Sequence, residues 1–181
     1  MEEGQRLEPV LIDRMLTHFR RIGLNVTHSS ARSYVINYRK KYDIIVSSDG
    51  SLTFNSGHLK FFLPTLADSI PLEVKSRHSK HSASTLIPSP GHLIQCFLQA
   101  HAYQTEHAAY LTANGSDTYL HIVRVDRSIL HEILDFSYTT SDFLRKLFTL
   151  AELKKEACLL RKHLYARQKF SVVFSLKINH T

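Results

Sequence analysis

Tryptophan is absent from this chain, and cysteine, methionine, glycine and proline are sparse: two Cys, two Met, six Gly and five Pro in 181 residues. Two cysteines, Cys96 and Cys158, can build neither a disulfide framework nor a four-cysteine metal or iron–sulfur site. Both sit in apolar, helical-looking surroundings, which predicts two buried thiols in a reducing compartment. No apolar run approaches the length of a membrane span. The N-terminus, MEEGQRLEP, is charged where a signal peptide would be apolar. These absences predict an intracellular protein, nuclear or cytoplasmic and not secreted, without a membrane partner. On that reading the sequons at Asn25, Asn114 and Asn179 are chance matches. Acidic residues are also short, 16 against 23 Lys and Arg, giving a formal charge of +7. Such a balance favours anionic partners, nucleic acid before a membrane surface.

What is present is an ordinary globular composition, 43% hydrophobic and 22% charged, which predicts one compact domain over residues 1–181. Leu7, Val10, Leu11, Met15, Phe19 and Ile22 recur at helical spacing, with Pro9 suited to a first turn and Gly23 to a stop. Short stretches rich in β-branched and aromatic residues follow: Ser33–Tyr38, Asp43–Ser47, Ser51–Phe54, His58–Leu63 and Ile70–Lys75. Turn signals at Ser48-Asp49-Gly50 and Asn55-Ser56-Gly57 separate them, so they read as strands and hairpins. Pro88 and Pro90 lead into a helix from about Gly91 to Thr105. Strands are predicted at Ala108–Ala113 and Thr118–Val125. A C-terminal helical region over about 128–166 divides into Ser128–Phe136 and Asp142–Ala166, and an edge strand covers about 170–178. With no internal repeat and no long linker, this order predicts an α/β fold: one central mixed β-sheet flanked by helices.

The chemistry concentrates in Pro71-Leu-Glu-Val-Lys-Ser-Arg-His78. On a strand, Glu73 and Lys75 project to one face while Leu72 and Val74 face the other. Two charges on an apolar strand cost free energy unless they are paired or bind something. A solvated face with a weak ion pair would satisfy that, and so would a binding site. Upstream, Ser48-Asp49-Gly50 holds Asp49 at the end of the preceding strand, either as a plain turn residue or as a second carboxylate for the site. Two carboxylates and a lysine at adjacent strand ends suit a hard cation bound through oxygen, Mg²⁺ or Mn²⁺.

This pattern resembles the PD-(D/E)XK nuclease superfamily, and more closely its phage lambda exonuclease and YqaJ-type recombinase branch. Gly4, Glu8 and Pro9 are similar to the residues opening the family's first active-site helix, and Ser48-Asp49-Gly50 to its Ser-Pro-Asp-Gly turn. Leu72-Glu73-Val74-Lys75 resembles its Glu-x-Lys strand. His92-Leu-Ile-Gln95-Cys-Phe-Leu-Gln99 resembles the helix whose glutamine faces the active site, and "EHAAYLTA" the strand after it. The resemblance runs from Gly4 to Asp126. It implies a restriction-endonuclease-like core with Asp49 and Glu73 as metal ligands and the Val74 carbonyl completing the shell. It further implies that Lys75 serves the nucleophilic water and that Glu8 assists a second metal or its water. Gln95 would contact the phosphate or water network. Ser48 stands where the family has proline, and the Asp49–Glu73 interval is longer than usual, leaving room for an inserted hairpin over about 55–69. Asp43 and Asp68 are therefore rivals for the aspartate position. Gln99 and Tyr103 form a Gln-x3-Tyr pair like that of RecB-type nucleases, so Gln99 rivals Gln95, although distance to the following strand favours Gln95.

His78, His81, His101 and His107 lack the Cys or carboxylate partners that a tetrahedral zinc site needs at usual spacings. Arg77, His78, Lys80 and His81 read instead as a basic loop touching phosphates, with Gln99 beside it, or as a solvated charge run. The resemblance implies a metal-dependent deoxyribonuclease, an exonuclease on duplex ends in recombination or repair, with DNA as its partner. An RNA endonuclease of the cap-snatching type shares the acid-acid-lysine centre, and an inactive nucleic-acid-binding module shares the basic surface. A homo-oligomer is compatible with either.

Overall fold

A computed structural model of the protein describes residues 2–39, 42–55, 63–77, 87–114, 117–145 and 149–179. Eight strands and four helices lie among the described residues. Helix α1 spans Glu2–Arg21 and is followed by β1 (Val26–Ser29), β2 (Arg32–Tyr38), β3 (Tyr42–Ser48), β4 (Gly50–Phe54) and β5 (Ser69–Arg77). Helix α2 (Pro90–Ala102) leads to β6 (His107–Asn114) and β7 (Asp117–Arg124); α3 (Arg127–Leu144), α4 (Leu150–Ser171) and β8 (Val172–Ile178) complete the chain.

Six strands form one mixed sheet in the order β1-β4-β5-β6-β7-β8. Only β5 and β6 run parallel, as their connection through α2 requires; the other pairs are antiparallel. The expected α/β domain with a central mixed sheet flanked by helices is therefore what the chain adopts, and β8 is an edge strand as predicted.

One prediction about the sheet is corrected. Strands β2 and β3 pair with each other in a separate two-stranded ribbon, from Arg32↔Ser48 to Tyr38↔Tyr42. Residues Ile36 and Val46 turn inward against the α2 core, whereas Val35 and Ile45 stand 64% and 75% exposed on the outer face.

The alternation of β5 and β6 sorts the core into two halves. Leu72, Val74, Leu111 and Ala113 pack with Leu11, Met15 and Phe19 of α1 on one face. Ala108 and Tyr110 pack with α2, α3 and α4 on the other, through Leu93, Phe97, Ile133, Leu160 and Leu164. Each fully buried Leu or Phe of this kind contributes on the order of 1.5–3 kcal/mol.

Several boundaries move. Helix α1 begins at Glu2, so Pro9 lies inside it rather than in its first turn. The predicted 128–166 region breaks elsewhere: α3 runs to Leu144, and α4 starts behind a Thr149–Glu152 capping box and continues to Ser171. Strand β1 had no prediction, its four residues being too few to show alternation. Residues 56–62, which hold all but Leu63 of the predicted strand His58–Leu63 and the middle of the hairpin over 55–69, lie outside the described residues. Cys96 is buried as expected, but Cys158 is exposed on α4, where the turn that carries it faces away from the core. Among the described residues no helix is long and apolar enough to cross a membrane.

Candidate active site

The ribbon meets the sheet at Asp49, between β3 and β4. Its backbone N–H donates to the Leu72 carbonyl at 3.0 Å, and its Oδ2 accepts from the Val74 N–H at 2.6 Å. Asp49 thus grips β5 on both sides of Glu73, closing the long sequence interval between the two acids. The turn depends on Gly50, whose φ is +145°. A Cβ there would lie 2.3 Å from the Ser29 carbonyl oxygen and 2.1 Å from His28 Nε2. His28 Nε2 also donates to the Asp49 carbonyl at 3.3 Å, so β1 backs this turn.

Glu73 and Lys75 occupy one face of β5 as alternation requires, and they form an ion pair between Oε1 and Nζ. Glu73 is 3% exposed and Lys75 31%. The second carboxylate oxygen of Glu73 accepts from Gln99 Nε2 at 2.5 Å, and the same amide donates to the Ser47 carbonyl at 2.8 Å. One turn on, the Tyr103 hydroxyl lies 3.0 Å from Ser48 Oγ, and its ring packs 4.6 Å from that of Tyr34.

Three acids crowd one lysine here. Burial pushes the Glu73 carboxyl up, and Asp49 adds to this, against the pull of Lys75 and Gln99. Glu8 is also raised, by burial first and then by Asp49, with Glu73 adding and Lys75 opposing. For Lys75, burial acts to lower the ammonium, but its hydrogen bond to Glu73 and the charges of Glu73, Asp49 and Glu8 outweigh that and hold it up. Lys75 is therefore a cation and a donor in this arrangement, not a proton acceptor.

An excess of carboxylate over ammonium is what a divalent cation would relieve. Among the described residues no three His, Cys, Asp or Glu side chains stand together at metal-binding spacing. Asp49 and Glu73 remain as carboxylate donors, and Mg²⁺ ordinarily takes one or two carboxylates, with water and phosphate in its other positions. Gln99 Oε1 is buried beside them as an acceptor without a partner among the described residues. The donor set fits a hard cation. Glu8 is near enough to be felt electrostatically but belongs to no such three-ligand cluster.

The structure sets Asp49 against the Val74 N–H, beside the Glu73–Lys75 pair, with Glu8 on their margin. The glutamine assignment is corrected: Gln95 is exposed on α2, and Gln99, 1% exposed, is the residue that reaches Glu73. The two share a helical face, but α2 passes the ends of β3 and β5 only in its C-terminal half. Bound at its amide nitrogen to Glu73 and Ser47, Gln99 is not the surface phosphate contact that was expected of it. The rival aspartates lie elsewhere: Asp43 accepts from Asn37 at 2.9 Å on the ribbon's outer face, and Asp68 precedes β5. Arg77 ends β5 opposite Asn114, while His78, Lys80 and His81 fall outside the described residues. Sequence reasoning missed Tyr34, His28 and the Ser47 carbonyl. No local signal marks them, because each acts through a partner more than 20 residues away.

No family model matches the chain, and no curated protein does. Among solved structures it is similar to SSO0001, at 14% identity and a TM-score of 0.46, over 76% of this chain. The match spans 58% of that chain, and a likeness this distant carries no functional argument.

Proposed function

We propose that this protein is a metal-dependent nuclease that hydrolyses DNA phosphodiester bonds, acting as an exonuclease on duplex ends in recombination or repair. One observation carries the reading. Glu73 contacts both Lys75 and Gln99, and Asp49 binds the Val74 N–H between Glu73 and Lys75, although these residues come from the central sheet, α2 and the ribbon junction. On this reading Asp49, Glu73 and the Val74 carbonyl would hold Mg²⁺ or Mn²⁺, with Glu8 at the edge of the charge cluster. When bound, such an ion polarises the phosphate and lowers the pKa of water. Lys75, kept cationic, steadies the negative charge that builds on phosphate oxygens as water attacks. The new P–O bond forms in line with the breaking one; the attacking water releases one proton to solvent, and the leaving oxygen takes one from solvent and departs as a hydroxyl. Gln99 fixes the Glu73 carboxylate, and Asp49 fixes the strand that carries it.

End-labelled duplex DNA, single-stranded DNA and RNA, each incubated with Mg²⁺, Mn²⁺ or EDTA, test the proposal. Duplex should be degraded with either metal and spared in EDTA. Glu73→Gln and Lys75→Ala should each lower the rate by at least about a hundredfold. Undiminished cleavage by Glu73→Gln would sink the assignment. Cleavage of RNA alone would leave an RNA endonuclease built on the same centre.

A further inference from the structure

The excess positive charge of this chain is concentrated on one helix. Within α4, six Lys and Arg residues stand against two acids, Glu152 and Glu156. Lys155, Lys162 and Lys169 recur every seventh residue, so they line one side of the helix within about 40° of each other and roughly 10 Å apart along its axis. Lys154 and Arg161 repeat that spacing on the neighbouring row. All five are exposed, and none forms an ion pair with a carboxylate among the described residues. Arg161 lies against the Tyr165 ring, 5.6 Å from its centroid. The buried side of α4, through Leu160 and Leu164, points the opposite way into the core. Both acids lie on the far flank, toward the His163–Glu132 pair.

Five cations without a carboxylate among them repel one another and gain from a polyanion. A bilayer would also need a continuous apolar stripe, but the exposed Leu150, Leu159, Tyr165 and Phe170 do not line up on one side of the helix. Helix α4 is also tied to the helix that serves the site. Gln168 Nε2 donates to the Pro88 carbonyl at 2.7 Å, and Arg161 and Tyr165 share a groove of about 430 Å³ with Gly91 and Ile94 at the start of α2.

We infer that the Lys154–Lys155–Arg161–Lys162–Lys169 face of α4 holds the phosphate backbone of duplex DNA. The inference rests on the nuclease reading for its substrate. Fluorescence anisotropy with a labelled 30-base-pair duplex in EDTA, from 50 to 300 mM KCl, tests it on the full chain. Comparison is between wild type, the triple variant Lys155→Gln/Lys162→Gln/Lys169→Gln, and Lys177→Gln, whose lysine already pairs with Asp117 on the edge strand. The triple variant should lower the slope of log K against log salt by about two to three units. At 0.1 M salt its binding should weaken on the order of a hundredfold, while Lys177→Gln leaves the slope alone. An unchanged slope in the triple variant overturns the inference, whether or not the protein cleaves DNA. Retention on phosphatidylserine vesicles without duplex binding overturns it as well. Wild-type binding that the triple variant loses, in a protein that cleaves nothing, would keep the surface and retire the nuclease reading.

Discussion

Gly50 shows how much of the site depends on one backbone position. Any side chain there would collide with the Ser29 carbonyl, an atom fixed in β1. Asp49 cannot shift to make room without releasing the Val74 N–H that its carboxylate holds. Gly50→Ala should therefore destabilise the fold by about 1–3 kcal/mol in chemical denaturation and reduce any cleavage by misplacing Asp49. A variant as stable as wild type would show that the turn relaxes freely. The glutamines offer a second test. Gln99→Ala removes the donor from a buried carboxylate, whereas Gln95→Ala alters only an exposed side chain. The first should cost about 1–3 kcal/mol and lower the rate strongly; the second should do neither. Here the sequence was legible where the constraint is local: Glu73 and Lys75 share a face by alternation alone. The choice between Gln95 and Gln99 was not legible, because residues four apart on a helix face the same way and only the position of α2 along the sheet separates them.

At the scale of elements, the junctions of the helices were harder to read than their interiors. The capping box Thr149-Leu-Ala-Glu152 is written plainly in the sequence, yet apolar periodicity on either side masks it as one helix. Its geometry is reciprocal: Thr149 Oγ1 accepts from the Glu152 N–H, and Glu152 Oε2 accepts from the Thr149 N–H. Asp126 does similar work before α3. It accepts from the Ser128 hydroxyl at 2.6 Å and from the Ser128 and Ile129 N–H groups. Those bonds, the Ser128 hydroxyl first, outweigh burial and hold its carboxyl below the ordinary aspartate value, with Arg167 adding to them. A depressed folded-state pKa means stability present above the unfolded value, near 3.9, and lost as pH falls through the lower folded one. Asp126→Ala should accordingly cost about 1 kcal/mol at pH 7. The gap between variant and wild type should close once the pH falls well below 4. A gap that persists in strong acid would mean that the aspartate acts through packing rather than charge.

Across the whole molecule, three separately built parts meet at one point. The ribbon delivers Ser47 and Asp49, the central sheet delivers Glu73, Val74 and Lys75, and α2 delivers Gln99. That β2 and β3 leave the main sheet was not legible in the sequence, since a strand's partner depends on contacts distant in the chain, while its own residues report only alternation. The convergence has a thermodynamic consequence. The Glu73 and Glu8 carboxyls, raised by burial and by neighbouring acids, oppose folding in their charged forms, so a cation bound at Asp49 and Glu73 should stabilise all three parts at once. A ligand at a hundred times its dissociation constant adds about 2.7 kcal/mol to the folded state. For a chain of this size each kcal/mol moves Tm by roughly 2–4 °C, so saturating Mn²⁺ or Mg²⁺ should raise Tm by about 5–10 °C over EDTA. Asp49→Asn retains an acceptor for the Val74 N–H and Glu73→Gln retains the side-chain shape, so both variants should fold, and both should lose the shift. Calorimetry on the three proteins needs no substrate and no turnover. A wild-type Tm indifferent to divalent ions would remove the metal from the site, whatever activity the protein shows.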